Sequence, residues 1–282
     1  MGLKLNQPEN LTISKKTLLM GVLNVTPDSF SDGGLFLGET RAVEWALRMA
    51  QDGADIIDVG GESTRPGSAY ISIDEELERV IPVIRELSPR LNIPISVDTS
   101  KSEVARQAIE AGAGIINNIM GTPLDRNMAA VAAEFDIPLI LMHIKGKPNT
   151  MQKNPVYADL MGEIISALRD SIAVAEAAGV KAEKIIIDPG LGFGKTVSHN
   201  IEILKRLREL KALGKPILVG PSRKAFIGAI LGVDNPRERL MGTAAAVAAS
   251  IANGADIVRV HDVKEMAELC KVADKILKLC NY

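Results

Sequence analysis

At 282 residues, with 46 % apolar and 24 % charged side chains, the chain has an ordinary globular composition and a length that suits one (β/α)8 barrel. Lys and Arg number 33 against 35 Asp and Glu, a formal net charge of -2, so there is no general excess of positive charge for nucleic acid or an anionic membrane surface. Cationic chemistry, if present, must be local. The two cysteines, Cys270 and Cys280, fall in an expected last helix about 15 Å apart along its axis, too far for a disulfide. With no signal-like start and no long apolar run, this reads as a reducing, cytoplasmic setting and excludes a membrane-spanning enzyme.

In chain order, eight short apolar runs alternate with longer segments of helical period, the pattern of a parallel sheet covered on both faces. The first run, residues 18–24, is followed by a long connection (25–39) and a helix over 41–52. The second, 56–60, is followed by another long connection (61–73) and a helix over 74–87. The third, 93–98, precedes a helix over 101–111, and the fourth and fifth are 115–118 and 138–143, the latter leading to a helix over 158–178. Run 185–188 leads to a helix over 201–213, and 216–220 is the seventh run. An Ala-rich segment, 239–253, is apolar nearly all round and precedes the eighth run, 257–261; it must be buried against the barrel or a second subunit. Gly53, Gly112, Gly179, Gly214 and Gly254 each follow an apolar-periodic segment, as C-terminal caps do. Eight such units favour closure, so the expected fold is α/β, a single (β/α)8 TIM barrel domain over residues 1–282 with a short N-terminal extension. The two long connections would stand on the rim where strands end, the usual place for binding loops.

The residues ending the runs are Asn24, Asp58, Asp98, Asn117 with Asn118, His143, Asp188, then Ser222-Arg223-Lys224, and Arg259 with His261. Any one alone reads as a helix cap or a loop hydrogen bond. Together they form a polar rim. Asp98, Asn117 and Asp188 supply carboxylates and an amide suited to a flat heterocycle with alternating N–H donors and carbonyl acceptors. Lys224, Arg259 and His261 gather donors and positive charge after the seventh and eighth runs, where barrels often hold phosphate. Asn24 is a candidate oxygen ligand for Mg2+. No Ser nucleophile elbow occurs and neither cysteine is near the rim, which argues against covalent catalysis. His143, His199 and His261 lack zinc spacing. The run Gly190-Leu191-Gly192-Phe193-Gly194-Lys195-Thr196 ends like a phosphate loop, but Pro189 stands where that motif needs its first Gly, so a tight loop is expected.

From about Leu18 to Val263 the chain resembles the dihydropteroate synthase family. The resemblance rests on Gly21-Val22-Leu23-Asn24-Val25-Thr26-Pro27-Asp28-Ser29-Phe30-Ser31-Asp32-Gly33-Gly34 and Asp58-Val59-Gly60-Gly61-Glu62-Ser63-Thr64-Arg65-Pro66-Gly67. Ser96-Val97-Asp98-Thr99, Leu141-Met142-His143, Ile187-Asp188-Pro189-Gly190, Ser222-Arg223-Lys224 and Arg259-Val260-His261-Asp262 follow in the same order. The resemblance implies that 6-hydroxymethyl-7,8-dihydropterin diphosphate and 4-aminobenzoate react to give 7,8-dihydropteroate and diphosphate. It implies that Asp98, Asp188 and Lys224 are catalytic, that these three with Asn117, Met142 and Phe193 hold the pterin, and that Asn24 binds Mg2+. Arg259 and His261, with Asn24 and Thr64, would meet the diphosphate. Thr64, Arg65 and Pro66, with Asp28, Ser29 and Phe30, would complete the 4-aminobenzoate pocket, for which sulfonamides would compete. A homodimer formed through helices on the 239–253 side is also implied. Two positions depart from many relatives, Asn118 in place of Asp and Ala225 in place of Ser, and altered affinity is the expectation. The rival readings are the pterin-binding barrel of a corrinoid methyltransferase and a non-catalytic pterin binder.

Overall fold

The structure, a computed structural model, describes residues 16–26, 34–63, 70–120, 125–146 and 150–277. Its eight strands are β1 (Leu18–Asn24), β2 (Ile56–Gly60), β3 (Ile95–Asp98), β4 (Ile115–Asn118), β5 (Leu139–Met142), β6 (Ile185–Asp188), β7 (Leu218–Val219) and β8 (Ile257–Val260). All pair in parallel, in the order β6-β5-β4-β3-β2-β1-β8-β7. The two ends of that order meet through a parallel bridge between Ile187 and Ile217, with the Ile187 N–H donating to the Pro216 carbonyl at 2.9 Å, so the sheet closes. The α-helices between and after the strands are α1 (Gly34–Gln51), α2 (Ile73–Leu87), α3 (Ser102–Glu110), α4 (Arg126–Glu134), α5 (Leu160–Ala177), α6 (Val197–Arg206), α7 (Ala225–Leu231), α8 (Leu240–Ala252) and α9 (Val263–Leu277).

Three strands begin later than their apolar runs, for one reason. The runs at 93–98, 138–143 and 216–220 contain Pro94, Pro138 and Pro216 at or near their starts. Proline has no N–H to give to the ladder. Each strand begins after its proline, whose carbonyl still accepts from the neighbouring strand: from Ile57 at 3.1 Å, Ile116 at 3.0 Å and Ile187 at 2.9 Å. The helix expected over 201–213 instead begins at Val197 and passes into a 3-10 turn, Leu207–Leu213, capped by Gly214 in the left-handed region. The five glycines expected to cap helices all have positive φ, from 65° at Gly214 to 119° at Gly112. At Gly112 a Cβ would also lie 2.2 Å from Ser88 Oγ, so both backbone angle and space demand glycine there.

Alternation along the strands sorts the core in two. Leu18, Met20, Ile56, Ile115, Ile140, Ile186, Leu218 and Ile257 fill the inside of the barrel, while Leu19, Ile57, Val97, Ile116, Leu139, Ile187 and Val258 face the helices. Each fully buried side chain of this size stabilises the fold by about 1.5–3 kcal/mol. The 239–253 segment, expected to be buried against the barrel or a second subunit, packs on the barrel by one face. In α8 one face (Thr243, Ala246, Val247, Ser250 and Ile251) is buried against the barrel, whereas Met241 on another face is 77 % exposed. No helix of the described residues is long and apolar enough to cross a membrane.

Candidate active site at the barrel mouth

Two residues beyond the apolar plug, the same inward parity delivers polar side chains: Asp58 after Ile56, Asn117 after Ile115, Asp188 after Ile186 and Arg259 after Ile257. On β5 the same step gives Met142 after Ile140. Register brings Asp58 beside Ser96 and Asp98 beside Asn117. Arg259 joins the set: its Nε donates to Asp58 Oδ2 at 2.6 Å and its Nη2 to Asp98 Oδ2 at 2.6 Å. Asn117 Nδ2 also donates to Asp58 Oδ2, at 3.0 Å. Asp98 Oδ1, Asp58 Oδ1 and Ser96 Oγ are buried and have no hydrogen-bond partner among the described residues. Such acceptors cost free energy until a donor reaches them. Burial pushes the Asp98 carboxyl up to about 7, against Arg259 and with the added push of Asp58 and Glu76.

The opposite side of the mouth is apolar and cationic. Met142, Met151 and Phe193 form a small buried cluster, and Lys224 Nζ lies 4.2 Å from the centre of the Phe193 ring, a cation–π contact. Burial and the nearby Arg259 lower the Lys224 ammonium to about 8. Asp188 Oδ1 accepts the Gly190 N–H at 2.7 Å, and burial raises its carboxyl to about 6 in spite of that bond and of Lys224. The result is a slot with acceptors on the β2–β4 side, a carboxylate on β6, and an aromatic and thioether wall. It can grip a flat, donor-rich ring by its edge and faces.

Asp98, Asn117, Asp188, Met142, Phe193 and Lys224 thus come together. Of the expected cations after β7 and β8, Arg259 lies near enough to Lys224 to lower its ammonium. Arg259 turns to the two carboxylates, whereas His261 pairs with Ser222 Oγ through its N–H at 3.1 Å and its Nδ1 at 3.0 Å. Arg223, with φ of 58°, is ion-paired to Asp262. Asn118 has the outward parity of Ile116, and its Oδ1 accepts the Met120 N–H at 3.1 Å, so it is not a wall of the slot. Ala225 opens α7 directly after Lys224. Asn24, half-buried, ends β1 opposite Gly60. Asp28, Ser29, Phe30, Thr64, Arg65 and Pro66 lie outside the described residues, as does Cys280.

Asp58 was visible as the end of a run, but its place as the hub of the network was not assigned from sequence. Its signal was the period-two step from Ile56. Lys195, read only as part of a tight loop, is buried beside the slot, with its Nζ 2.9 Å from His143 Nδ1. Nothing in the sequence pattern marks that contact, because the two residues are brought together by adjacent strands β5 and β6.

A closed parallel barrel with a carboxylate, amide and arginine network at its mouth defines a heterocycle-binding barrel enzyme. A family model described as "Pterin binding enzyme" matches residues 20–261, and the chain belongs to that family. Among curated relatives, the dihydropteroate synthase of Synechocystis sp. is 54 % identical, the match covering 93 % of this chain and 91 % of the relative. That of Bacillus subtilis is 49 % identical over 96 % and 92 % of the two chains. A Clostridium difficile dihydropteroate synthase crystallised in the presence of pteroic acid superposes with a TM-score of 0.88 at 49 % identity, covering 94 % of this chain and 98 % of that one. The Xanthomonas albilineans enzyme with 4-aminobenzoic acid gives 0.87 at 41 % identity, covering 93 % of each chain.

Proposed function

We infer that the chain is a transferase of folate biosynthesis that condenses 6-hydroxymethyl-7,8-dihydropterin diphosphate with 4-aminobenzoate, giving 7,8-dihydropteroate and diphosphate. The observation that carries this reading is the Asp58–Arg259–Asp98 network with Asn117, in a chain about half identical over nearly its whole length to dihydropteroate synthases. Asp98 Oδ1 and Asn117 accept from and donate to the edge of the pterin, Asp188 takes its N–H donors from the other side, and Lys224 Nζ donates to a ring acceptor. Phe193 and Met142 cover the ring faces.

In the reaction the carbon–oxygen bond between the pterin methylene and diphosphate breaks, and the electron pair leaves with diphosphate. The 4-aminobenzoate nitrogen forms the new bond to that carbon and releases its proton. No protein nucleophile takes part. Asp98 and Asp188 stabilise the positive charge that spreads into the pterin as diphosphate leaves, which is where fixed charge in a desolvated slot acts most strongly. Arg259, 20 % of whose side chain remains exposed, with His261 and Thr64, faces the departing anion. Thr64, Arg65 and Pro66, with Asp28, Ser29 and Phe30, complete the 4-aminobenzoate pocket and exclude water. Sulfonamides compete there, in keeping with the sulfonamide complex reported for the Yersinia pestis enzyme.

Asn24 is the residue that would hold Mg2+ in this reading. Asn24 offers one amide oxygen, and among the described residues no group of three or more His, Cys, Asp or Glu could hold a metal. Held there, a Mg2+ ion, which usually takes few protein ligands, would supply positive charge to the diphosphate leaving group.

The chain acts as a homodimer in this reading. Ile201, Leu204, Phe226, Ile230, Leu231 and Ala245 line an apolar groove between α6, α7 and α8, where Ile230 is 58 % exposed. A second copy presenting the same face would cover it. Product formation from both substrates with Mg2+ tests the reaction, since a barrel that only bound pterin would give none; sedimentation of the full chain tests the dimer.

A further inference from the structure

The loop after β6 carries Phe193 and is unusually constrained. Gly190, Gly192 and Gly194 have φ of 69°, 82° and 62°. A Cβ at Gly190 would lie 2.0 Å from the His143 carbonyl oxygen, and one at Gly194 would lie 2.2 Å from that of Lys145. The loop therefore runs directly against the backbone that leaves β5, and side chains fasten it there. Gly192 donates its N–H to Asn200 Oδ1 at 2.7 Å, and Tyr157 donates its hydroxyl to the Gly194 carbonyl at 2.9 Å.

Lys195 makes the central attachment. Only 3 % exposed, its Nζ donates to the Phe193 carbonyl at 2.9 Å, to His143 Nδ1 at 2.9 Å and to the His143 carbonyl at 3.4 Å. In its protonated form Lys195 thus turns its three donors to three acceptors, one on the loop and two just past β5. His143 is the matching partner: burial, then the charges of Lys195 and Lys145, lower its imidazole to about 3, so the ring is neutral, and with its proton on Nε2 the Nδ1 accepts. The reaction scheme above gives Lys195 no part, because its ammonium is enclosed by these acceptors. Its reach is through Phe193, whose ring packs with Met142 and lies under Lys224.

We propose that Lys195 is a positioning residue for the pterin slot: by tying the Phe193 backbone to His143, it fixes the Phe193 ring and, through that ring, the place of Lys224 Nζ. The proposal rests on the reading of Phe193 and Lys224 as pterin contacts. A tether of this kind sets contacts made equally before and during reaction. Its loss raises KM for the pterin substrate and leaves kcat nearly unchanged. A lysine with a merely structural part would behave otherwise, lowering kcat through a smaller active fraction with KM unaltered.

The test uses the full chain with Lys195→Met, which keeps the length and apolar stem and removes the donors. Calorimetry with bare 6-hydroxymethylpterin and steady-state kinetics with both substrates are read beside a thermal melt. Pterin affinity is expected to fall about tenfold or more, equivalent to about 1.4 kcal/mol, with a parallel rise in KM for the pterin diphosphate and little change in KM for 4-aminobenzoate. Unchanged pterin affinity in a folded variant overturns the proposal, as does a fall in kcat at constant KM. Should Lys195→Met not fold, His143→Ala removes the ring acceptor while leaving the ammonium, and is judged by the same pterin affinity: weaker binding supports the tether, unchanged binding overturns it. A wild-type protein that binds bare pterin yet forms no dihydropteroate would defeat the reaction assigned above while leaving the result on Lys195 standing.

Discussion

Arg259 on β8 donates to Asp98 on β3 at 2.6 Å, across a mouth in which β1 and β2 lie between them in the sheet. The same guanidinium holds Asp58 on β2. The slot therefore contains three carboxylates, Asp58, Asp98 and Asp188, and two cations, Arg259 and Lys224. With all five ionised, the balance is negative, which favours a ligand that brings N–H donors and gathers positive charge as it reacts.

Asp98→Asn keeps the shape of the slot and one acceptor but removes the charge. Turnover is expected to fall by about 100-fold or more, with the circular dichroism spectrum unchanged. An active variant measured with both substrates would remove Asp98 from this part.

Arg259→Met leaves Asp58 and Asp98 buried together without their cation. The cost in stability is expected to be about 3–5 kcal/mol near pH 8, falling in acid, where Asp98 takes up a proton. Urea denaturation at pH 8 and pH 5.5 measures both. Equal losses at the two pH values would contradict the proposed burden of buried charge.

The shifted groups also fix the sense of the pH dependence. Asp98 and Asp188 are raised from 3.8 to about 7 and about 6, so kcat/KM is expected to climb as they ionise; it should drop as Lys224, lowered to about 8, loses its proton. Because the two carboxyls bind protons more tightly folded than unfolded, stability changes in the opposite sense, decreasing as pH rises between their ordinary range and about 7. A kcat/KM profile flat from pH 5 to 9 would show that these carboxyls and Lys224 do not govern the reaction. Lys195, lowered by burial to about 7, titrates in the same window, so the acid limb should persist in Lys195→Met.

Gly190→Ala places a Cβ against the His143 carbonyl at a φ of 69°. The loop must shift, at an expected cost of about 1–3 kcal/mol, and pterin binding should weaken with it. Calorimetry with bare pterin decides: an alanine variant with normal affinity would show that the loop tolerates displacement.

Most of the fold is legible in the sequence. Eight apolar runs became eight strands because a strand covered on both faces has no polar side to show, and the glycine caps were recognisable from the chemistry of a left-handed turn. The boundaries slipped where proline interrupts an apolar run, as at Pro94, Pro138 and Pro216, since hydrophobicity does not register a missing N–H. Within the site, Asp98, Asn117 and Asp188 stood out as polar ends of buried strands and Lys224 as part of the polar segment after β7, whereas Asp58 needed the step of two from Ile56 to be given its place.

The sequence alone determined which residues reach the mouth, because strand periodicity fixes the face on which each side chain emerges. Only the tertiary structure decided which of them meet. Closure of the sheet and the register of β2, β3 and β8 turned Arg259 toward Asp58 and Asp98 and left His261 to Ser222. The same packing of β5 on β6 carried Lys195 to His143, a contact between residues 52 positions apart. Local pattern records the direction of a side chain; its partner depends on how distant segments are brought together.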